Sequence, residues 1–228
     1  MDTERIAHQK SVTFGPPPAG MDFAHILTQR ALMVHPHTEL RFVSPQIGWG
    51  VFATRLIPRG TIVWALDALD QRFTPEQVAT LPAYARKQLH IYSYVDGAGR
   101  HILCWDHARF FNHSCHANCL SVGYDFELAV RDIQPGEELT DDYGTLNPGE
   151  PFPCACACAA CRGQVLPDDM LRFGDTWNDT ARAAFFLIPS VGQPLWEILA
   201  DRPAIEAALA DPNRLRPLQH HYRGAATA

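Results

Sequence analysis

A mainly β domain of short strands with a few helices, followed by a helical C-terminal extension, is the fold class this sequence predicts. Three observations carry it. Between residues 38 and 147 the β-branched and aromatic runs are short and are cut by Gly and Pro turns. With 46% hydrophobic and 19% charged residues in 228, the chain has the material for a packed core and lacks the polarity of disorder. Beyond Cys161-Arg162-Gly163 the pattern turns helical, notably from Leu195 to Leu209. The expected layout is a partly disordered leader (1–37), the β domain (38–147), a cysteine-rich segment (148–165) and the helical extension (166–228).

The elements follow in order. Residues 1–20 mix charge, polarity and three consecutive prolines, with no apolar stretch of the kind a secretory signal needs. Strands are expected at Leu40-Arg41-Phe42-Val43 and Val51-Phe52-Ala53, with Gly48-Trp49-Gly50 as the turn between them, and another at Thr61-Ile62-Val63 after the turn Ile57-Pro58-Arg59-Gly60. Thr74-Pro75-Glu76-Gln77 combines a capping hydroxyl, a proline at the first helical position and a capping-box glutamine, so a helix starts there. It halts near Pro82 and a second helical stretch follows. From Ile91 onward short strands return, with Gly97-Ala98-Gly99 as a turn and Glu127 to Ile133 as a strand before Pro135-Gly136. Arg55-Leu56-Ile57-Pro58-Arg59-Gly60 is echoed by Arg131-Asp132-Ile133-Gln134-Pro135-Gly136, which suggests one turn design used twice. The last dozen residues read as frayed.

Charge and cysteine usage exclude several classes. The formal net charge is -6, the lysines are Lys10 and Lys87 alone, and no run of Arg occurs. Without a basic stripe, direct nucleic-acid binding is not expected, and a cationic partner fits better. The longest apolar stretch, Ala183 to Ile188, ends at Pro189, far short of the roughly 20 residues that cross a bilayer, so a soluble protein with no membrane association is expected. Seven cysteines, four of them between Cys154 and Cys161, suit reduced thiolates on a metal better than a disulfide framework. A cytoplasmic setting follows, or a nuclear one in a eukaryote. The oligomeric state is not legible.

Two segments carry chemistry. Asn112-His113-Ser114-Cys115-His116-Ala117-Asn118-Cys119 is dense in donors, acceptors and metal-binding side chains, although a solvated loop of Asx and Ser turns would look the same. Cys154, Cys156 and Cys161 place three thiols within eight residues, close enough for one tetrahedral zinc ion at Zn–S distances of about 2.3 Å. On the residues alone Cys115 is the natural fourth ligand, with Cys158, Cys119, His113 and His116 as alternatives.

Taken together, Gly48-Trp49-Gly50, Arg109-Phe110-Phe111-Asn112-His113-Ser114-Cys115 with Asn118, Glu138-Leu139-Thr140-Asp141-Asp142-Tyr143-Gly144, and Cys154-x-Cys156-x4-Cys161-Arg162-Gly163 resemble the four motifs of SET-domain protein-lysine methyltransferases, in the family's order, the last being post-SET-like. The resemblance covers about residues 38 to 165. It implies a SET-type fold of small β-sheets in which the segments around Asn112 and Tyr143 pass through one another in a knot-like arrangement.

It further implies transfer of a methyl group from S-adenosylmethionine to a lysine of a basic protein or peptide. Gly48 to Gly50 would let the backbone approach the methionine part of the cofactor, with Trp49 flanking it. Arg109, Phe110, Asn112 and His113 would contact its sugar, adenine and amine. Tyr143 matches the catalytic tyrosine beside the reacting centre, which also touches the transferred methyl. Cys115, Cys154, Cys156 and Cys161 match the zinc ligands, with Cys158 as an extra thiol in the gap. The chain departs from the family at Ala117, where proline is frequent, and at Asp141, where many members carry the Phe or Tyr that limits the number of methyl groups. A second reading of the same residues is a catalytically idle module that holds zinc and serves as a binding or scaffold protein. A third is a cofactor-independent zinc protein that senses redox state through its cysteines. Retention of both Asn112-His113 and Tyr143 favours the enzyme.

Overall fold

Thr38–Ser44 (β1) and Gly48–Ala53 (β2) pair antiparallel, and the chain reverses between them at Pro45-Gln46-Ile47. The expected turn at Gly48-Trp49-Gly50 is therefore a strand. Ser44 Oγ accepts the Ile47 N–H at 3.1 Å, and proline follows it, the chemistry of a turn's first two positions. The glycines instead serve a neighbouring strand. A Cβ on Gly50 would come within 2.2 Å of Glu138 Oε1, so glycine leaves room for the Glu138 side chain of Glu138–Asp141 (β10) in its present place.

This computed structural model describes residues 34–224; of the expected leader, residues 1–33 lie outside the described residues. Val34 is 1% exposed and bridges Trp64, so the fold starts before residue 38. Ile62–Ala65 (β3) is buried throughout, which explains its unbroken apolar text. Next come Gln71–Phe73 (β4), Pro75–Thr80 (α1), Ala83–Tyr92 (α2), Ser93–Val95 (β5) and His101–Leu103 (β6). The Thr74 capping box is present in both directions, as expected. Asn112–His113 (β7), Cys119–Ser121 (β8) and Phe126–Ala129 (β9) precede β10, and Phe152–Pro153 (β11) pairs with Gln164–Val165 (β12). Among the described residues the sheets are ordered β1-β2-β10-β7, β3-β9-β8, β4-β6-β5 and β11-β12.

The strand expected over Glu127 to Ile133 stops at Ala129, and the echoed segment beyond it does something else. Ile57 and Ile133 exchange backbone hydrogen bonds of 3.0 and 2.9 Å. Around them the Gly60 N–H donates to the Ala129 carbonyl at 2.8 Å and the Gly136 N–H to the Ala53 carbonyl at 2.7 Å. Both glycines have positive φ, +89° and +81°. The repeated text thus folds onto itself as a local two-fold pair, with both isoleucines fully buried.

The helical extension expected over 166–228 is led by Asp169–Phe185 (α3). Its buried positions, Met170, Gly174, Trp177, Ala181, Ala184 and Phe185, recur at three and four residues, the spacing of one helical face. That face covers the β3-β9-β8 sheet: Ile62, Phe126 and Leu128 share one core with Met170, Trp177 and Phe185. The helix expected over Leu195 to Leu209 is broken into a 3₁₀ turn at Trp196–Ile198 and Arg202–Ala210 (α4). Pro203 lies in the first turn of α4, where its missing N–H costs nothing. Of the tail expected to fray, residues 225–228 lie outside the described residues; before them Leu218 is 2% exposed, its N–H donates to Asn178 Oδ1, and the Arg223 N–H donates to Asn147 Oδ1. A second core, on the other side of β3 and β9, joins Val51, Ile57, Val63, Ile102, Ile133 and Leu139. Among the described residues no helix is long and apolar enough to cross a membrane.

Candidate active site

β7 and β10 run parallel, with Asn112 opposite Thr140 and His113 opposite Asp141, so two motifs far apart in the chain lie side by side. Tyr143 follows β10 at the start of a 3₁₀ turn, Tyr143–Thr145, capped by Asp142. Its hydroxyl donates to the Phe111 carbonyl at 2.6 Å, and its backbone N–H donates to His113 Nδ1 at 3.2 Å. The His113 and Phe152 rings flank the phenol at 5.5 and 6.2 Å. Burial, reinforced by Asp141 and Glu138, pushes the phenol above its usual range, so Tyr143 is a neutral donor at physiological pH. Burial lowers the His113 pKa, partly opposed by Asp142.

Tyr143 lines a cavity of about 510 Å³ together with Arg109, Phe111, Asp141 and Phe152. Arg109 and Phe110 belong to the 3₁₀ turn His107–Phe110, where the guanidinium lies 5.1 Å from the Phe110 ring centre. The Gly48-Trp49-Gly50 strand is tied to the same centre through Asn112, whose Nδ2 donates to the Trp49 carbonyl at 3.0 Å and to Glu138 Oε1 at 2.6 Å. Trp49 is 46% exposed, and the space beside Gly48 is open. The glycine strand, Asn112, His113 and Tyr143 therefore converge, while the cavity itself is lined from the Tyr143 side.

The thiols gather against the far edge of His113. His113, Cys115, Cys154 and Cys156 each offer a ligand atom, all within 4.8 Å of one another. Cys115 Sγ lies 3.6 Å from Cys154 Sγ and 3.4 Å from His113 Nε2, near the roughly 3.8 Å edge of a tetrahedron with 2.3 Å Zn–S bonds. Burial pushes the Cys115 and Cys154 thiols up, while at Cys156 it is outweighed by hydrogen bonds from backbone N–H groups and neighbouring thiols, which draw that thiol down to about 6. Cys161 is exposed and lies outside that group of four, its Sγ 4.0 Å from the Cys154 carbonyl, while Cys158 Sγ lies 3.5 Å from Cys156 Sγ. Cys119 is fully buried elsewhere, in the β8 core.

One functional group went unnoticed in the sequence. Arg162, directly after Cys161, grips Asp142 with two hydrogen bonds of 2.7 Å, reaches Asp169 at 3.2 Å and lies over the Phe173 and Trp177 rings. It joins the cysteine segment, the Tyr143 turn and α3 in one contact. No local pattern marks an arginine for this, because its partners come from two distant segments.

Comparison with known proteins places this geometry. The family described as SET domain matches residues 48–144. The chain carries a SET domain. Histone-lysine N-methyltransferase ash1 of Drosophila melanogaster is 31% identical over 140 residues, which make up 55% of this chain and 6% of that protein. Histone-lysine N-methyltransferase TRX1 of Oryza sativa subsp. japonica is 34% identical over 180 residues, 70% of this chain and 16% of that protein. The chain thus spans only a small part of the length of these relatives. Among solved structures, the methyltransferase domain of human histone-lysine N-methyltransferase SETMAR aligns over 60% of each chain, with 20% identity and a TM-score of 0.41. The SET domain here has the expected make-up of small sheets and short helices, with the cysteine segment next to its last strand.

Proposed function

We propose that this SET domain transfers a methyl group from S-adenosylmethionine to a lysine side chain of a basic protein, with Tyr143 as its catalytic tyrosine. The observation that carries the reading is the Tyr143 hydroxyl, fixed on the Phe111 carbonyl at 2.6 Å in the wall of a cavity, within the segment that matches the SET family. With its proton committed to Phe111, the phenol oxygen has lone pairs left to accept an N–H from an amine and orient it. Phe111, Tyr143 and Phe152 line the cavity on the side of that hydroxyl, and apolar walls there would favour the neutral amine that attack requires. S-adenosylmethionine supplies the electrophilic methyl, carried on a positively charged sulfur. Gly48, Trp49, Gly50, Arg109, Phe110, Asn112 and His113 would hold it, a role supported by the open space at Gly48 and the Asn112 bridge to Trp49. The relatives named above are histone-lysine methyltransferases, and the acidic charge of this chain suits a substrate of that basic kind.

Cys115, Cys154, Cys156 and Cys161 would hold one structural zinc ion. His113 competes for the fourth place, but its Nδ1 already accepts the Tyr143 N–H. A neutral imidazole that accepts at Nδ1 would carry its proton on Nε2 and donate it to the Cys115 sulfur, which supports Cys161 as the fourth ligand. The ion would anchor the segment that carries Phe152, a wall of the cavity.

The test is incubation of the purified chain with isotopically labelled S-adenosylmethionine and core histones, read by mass spectrometry. Methylated lysine is expected, and Tyr143→Phe should lower the rate by about 100-fold or more, the cost of losing one positioned hydroxyl in a dry site. Cofactor binding without transfer would leave an idle module, and absence of cofactor binding by calorimetry would end both readings.

A further inference from the structure

Cys158 is the one thiol of the cysteine segment for which the zinc reading has no use. It lies outside the four residues gathered around Cys115 and outside the proposed ligand set, yet its Sγ is 3.5 Å from the Sγ of Cys156, a proposed ligand. The backbone builds this approach. Two residues of extended chain span up to about 7 Å, at the far limit of what a disulfide bridges. Ala157, between the two cysteines, has a φ of +53°, a left-handed conformation uncommon for alanine, and it turns the chain back on itself. On the other side the Cys158 carbonyl accepts the Cys161 N–H at 3.0 Å, which fixes Cys158 in a turn. Cys158 is half-buried and within reach of a small solute, whereas Cys104 and Cys119 are 5% and 0% exposed. The other close pair, Cys115 and Cys154 at 3.6 Å, would have both sulfurs on the ion.

A thiol free of metal beside one that binds it gives an oxidant a way to draw a ligand off the ion. We propose that Cys156 and Cys158 are a modification site, an oxidisable pair that a peroxide converts to a disulfide, withdrawing Cys156 from the zinc. The Cys158 sulfur attacks a peroxide oxygen, so that an S–O bond forms, the O–O bond breaks and one water leaves. The Cys156 sulfur then attacks the sulfenic sulfur of Cys158; the S–S bond forms, the S–O bond breaks and the hydroxyl leaves as a second water. Two thiols and one hydrogen peroxide thus give one disulfide and two waters, and where Cys156 starts as a metal-bound thiolate one proton comes from solvent. The proposal rests on the reading of these thiols as a zinc site. With Cys156 withdrawn, the segment that carries Phe152 loses its anchor, which couples a wall of the Tyr143 cavity to oxidation.

The test needs no methyl transfer. The zinc-loaded full chain is treated with hydrogen peroxide, zinc release is followed with a chromophoric chelator, and disulfides are mapped by mass spectrometry. The wild type should form a disulfide between Cys156 and Cys158 as it releases its ion, and dithiothreitol should restore zinc binding. Cys158→Ser should hold a full equivalent of zinc and release it at least fivefold more slowly at the same peroxide concentration. Release from Cys158→Ser at the wild-type rate, or a wild-type disulfide between other cysteines, overturns the proposal. So does a folded Cys158→Ser chain that binds no zinc, because Cys158 is then a ligand. The wild-type mapping decides even where the variant does not fold. A wild type that takes up no zinc refutes the metal reading instead, and the disulfide is then sought in the metal-free chain, where its absence overturns the pair and its formation upholds it.

Discussion

His35 shows how one residue sets a pH dependence. Its ring is buried, its Nδ1 accepts the His37 backbone N–H at 3.2 Å, and the His35 backbone N–H donates to the Val63 carbonyl at 2.7 Å. Burial, helped by the nearby His37 charge, depresses its pKa from 6.5 to about 4. Between those values the unfolded chain binds a proton that the folded chain refuses, so stability falls as the pH drops below about 6.5 and is lost most fully below 4. At pH 5 the loss relative to pH 7.5 is about 2 kcal/mol. His35→Asn keeps an acceptor for the His37 N–H but cannot titrate. Urea midpoints of wild type and variant at the two pH values should therefore converge on acidification by that amount, and a constant difference would show that His35 is not responsible.

At the scale of elements, the cysteine segment is held by two different forces. One is the proposed metal: Cys161→Ser should lower zinc affinity by tenfold or more, whereas His113→Asn should retain a full equivalent, both read by a competing chelator. Full retention in Cys161→Ser would move the fourth ligand to His113. The other force is Arg162, whose partners Asp142 and Asp169 have side chains 2% and 0% exposed. Arg162→Met leaves both carboxylates buried, with Asp142 stripped of its cation, so a loss of about 3–5 kcal/mol is expected in denaturant unfolding of zinc-saturated protein. A loss below about 1 kcal/mol would mean that Asp169 finds enough support from Arg172 and that Asp142 is served by its backbone contacts.

For the whole molecule, the extension belongs to the domain. Its helix α3 completes the core over β3-β9-β8, and its tail reaches the Tyr143 cavity: the His221 carbonyl accepts Asn147 Nδ2 at 2.9 Å, and His221 and Arg223 line the cavity. Of the roles open to residues 166–228, covering the back of the domain is the one observed, with a share in the cavity wall. Truncation after residue 165 strips the cover from Ile62, Phe126 and Leu128. The shortened chain should lose cooperative thermal unfolding and near-ultraviolet circular dichroism and bind a hydrophobic dye. A sharp melt in the truncated protein would contradict a shared core.

Local chemistry was legible in the residues themselves. The Thr74 capping box, the paired Ile57 and Ile133 turns, the cysteine run and the motifs around Asn112 and Tyr143 are written in short stretches, because caps, turns and metal ligands depend on neighbours a few residues away. The periodicity of α3 was legible too, within the stretch 166–228 whose pattern is helical. What the residues could not announce is which surfaces meet. That Gly50 is a contact and not a turn follows from Glu138, 88 positions later in the chain, lying against it. The buried state of Glu127 needs Ser121 and Trp64 on either side, and the grip of Arg162 needs Asp142 and α3. These are decided by burial and pairing between distant segments, where the free energy of a side chain depends on neighbours that only the folded chain assembles.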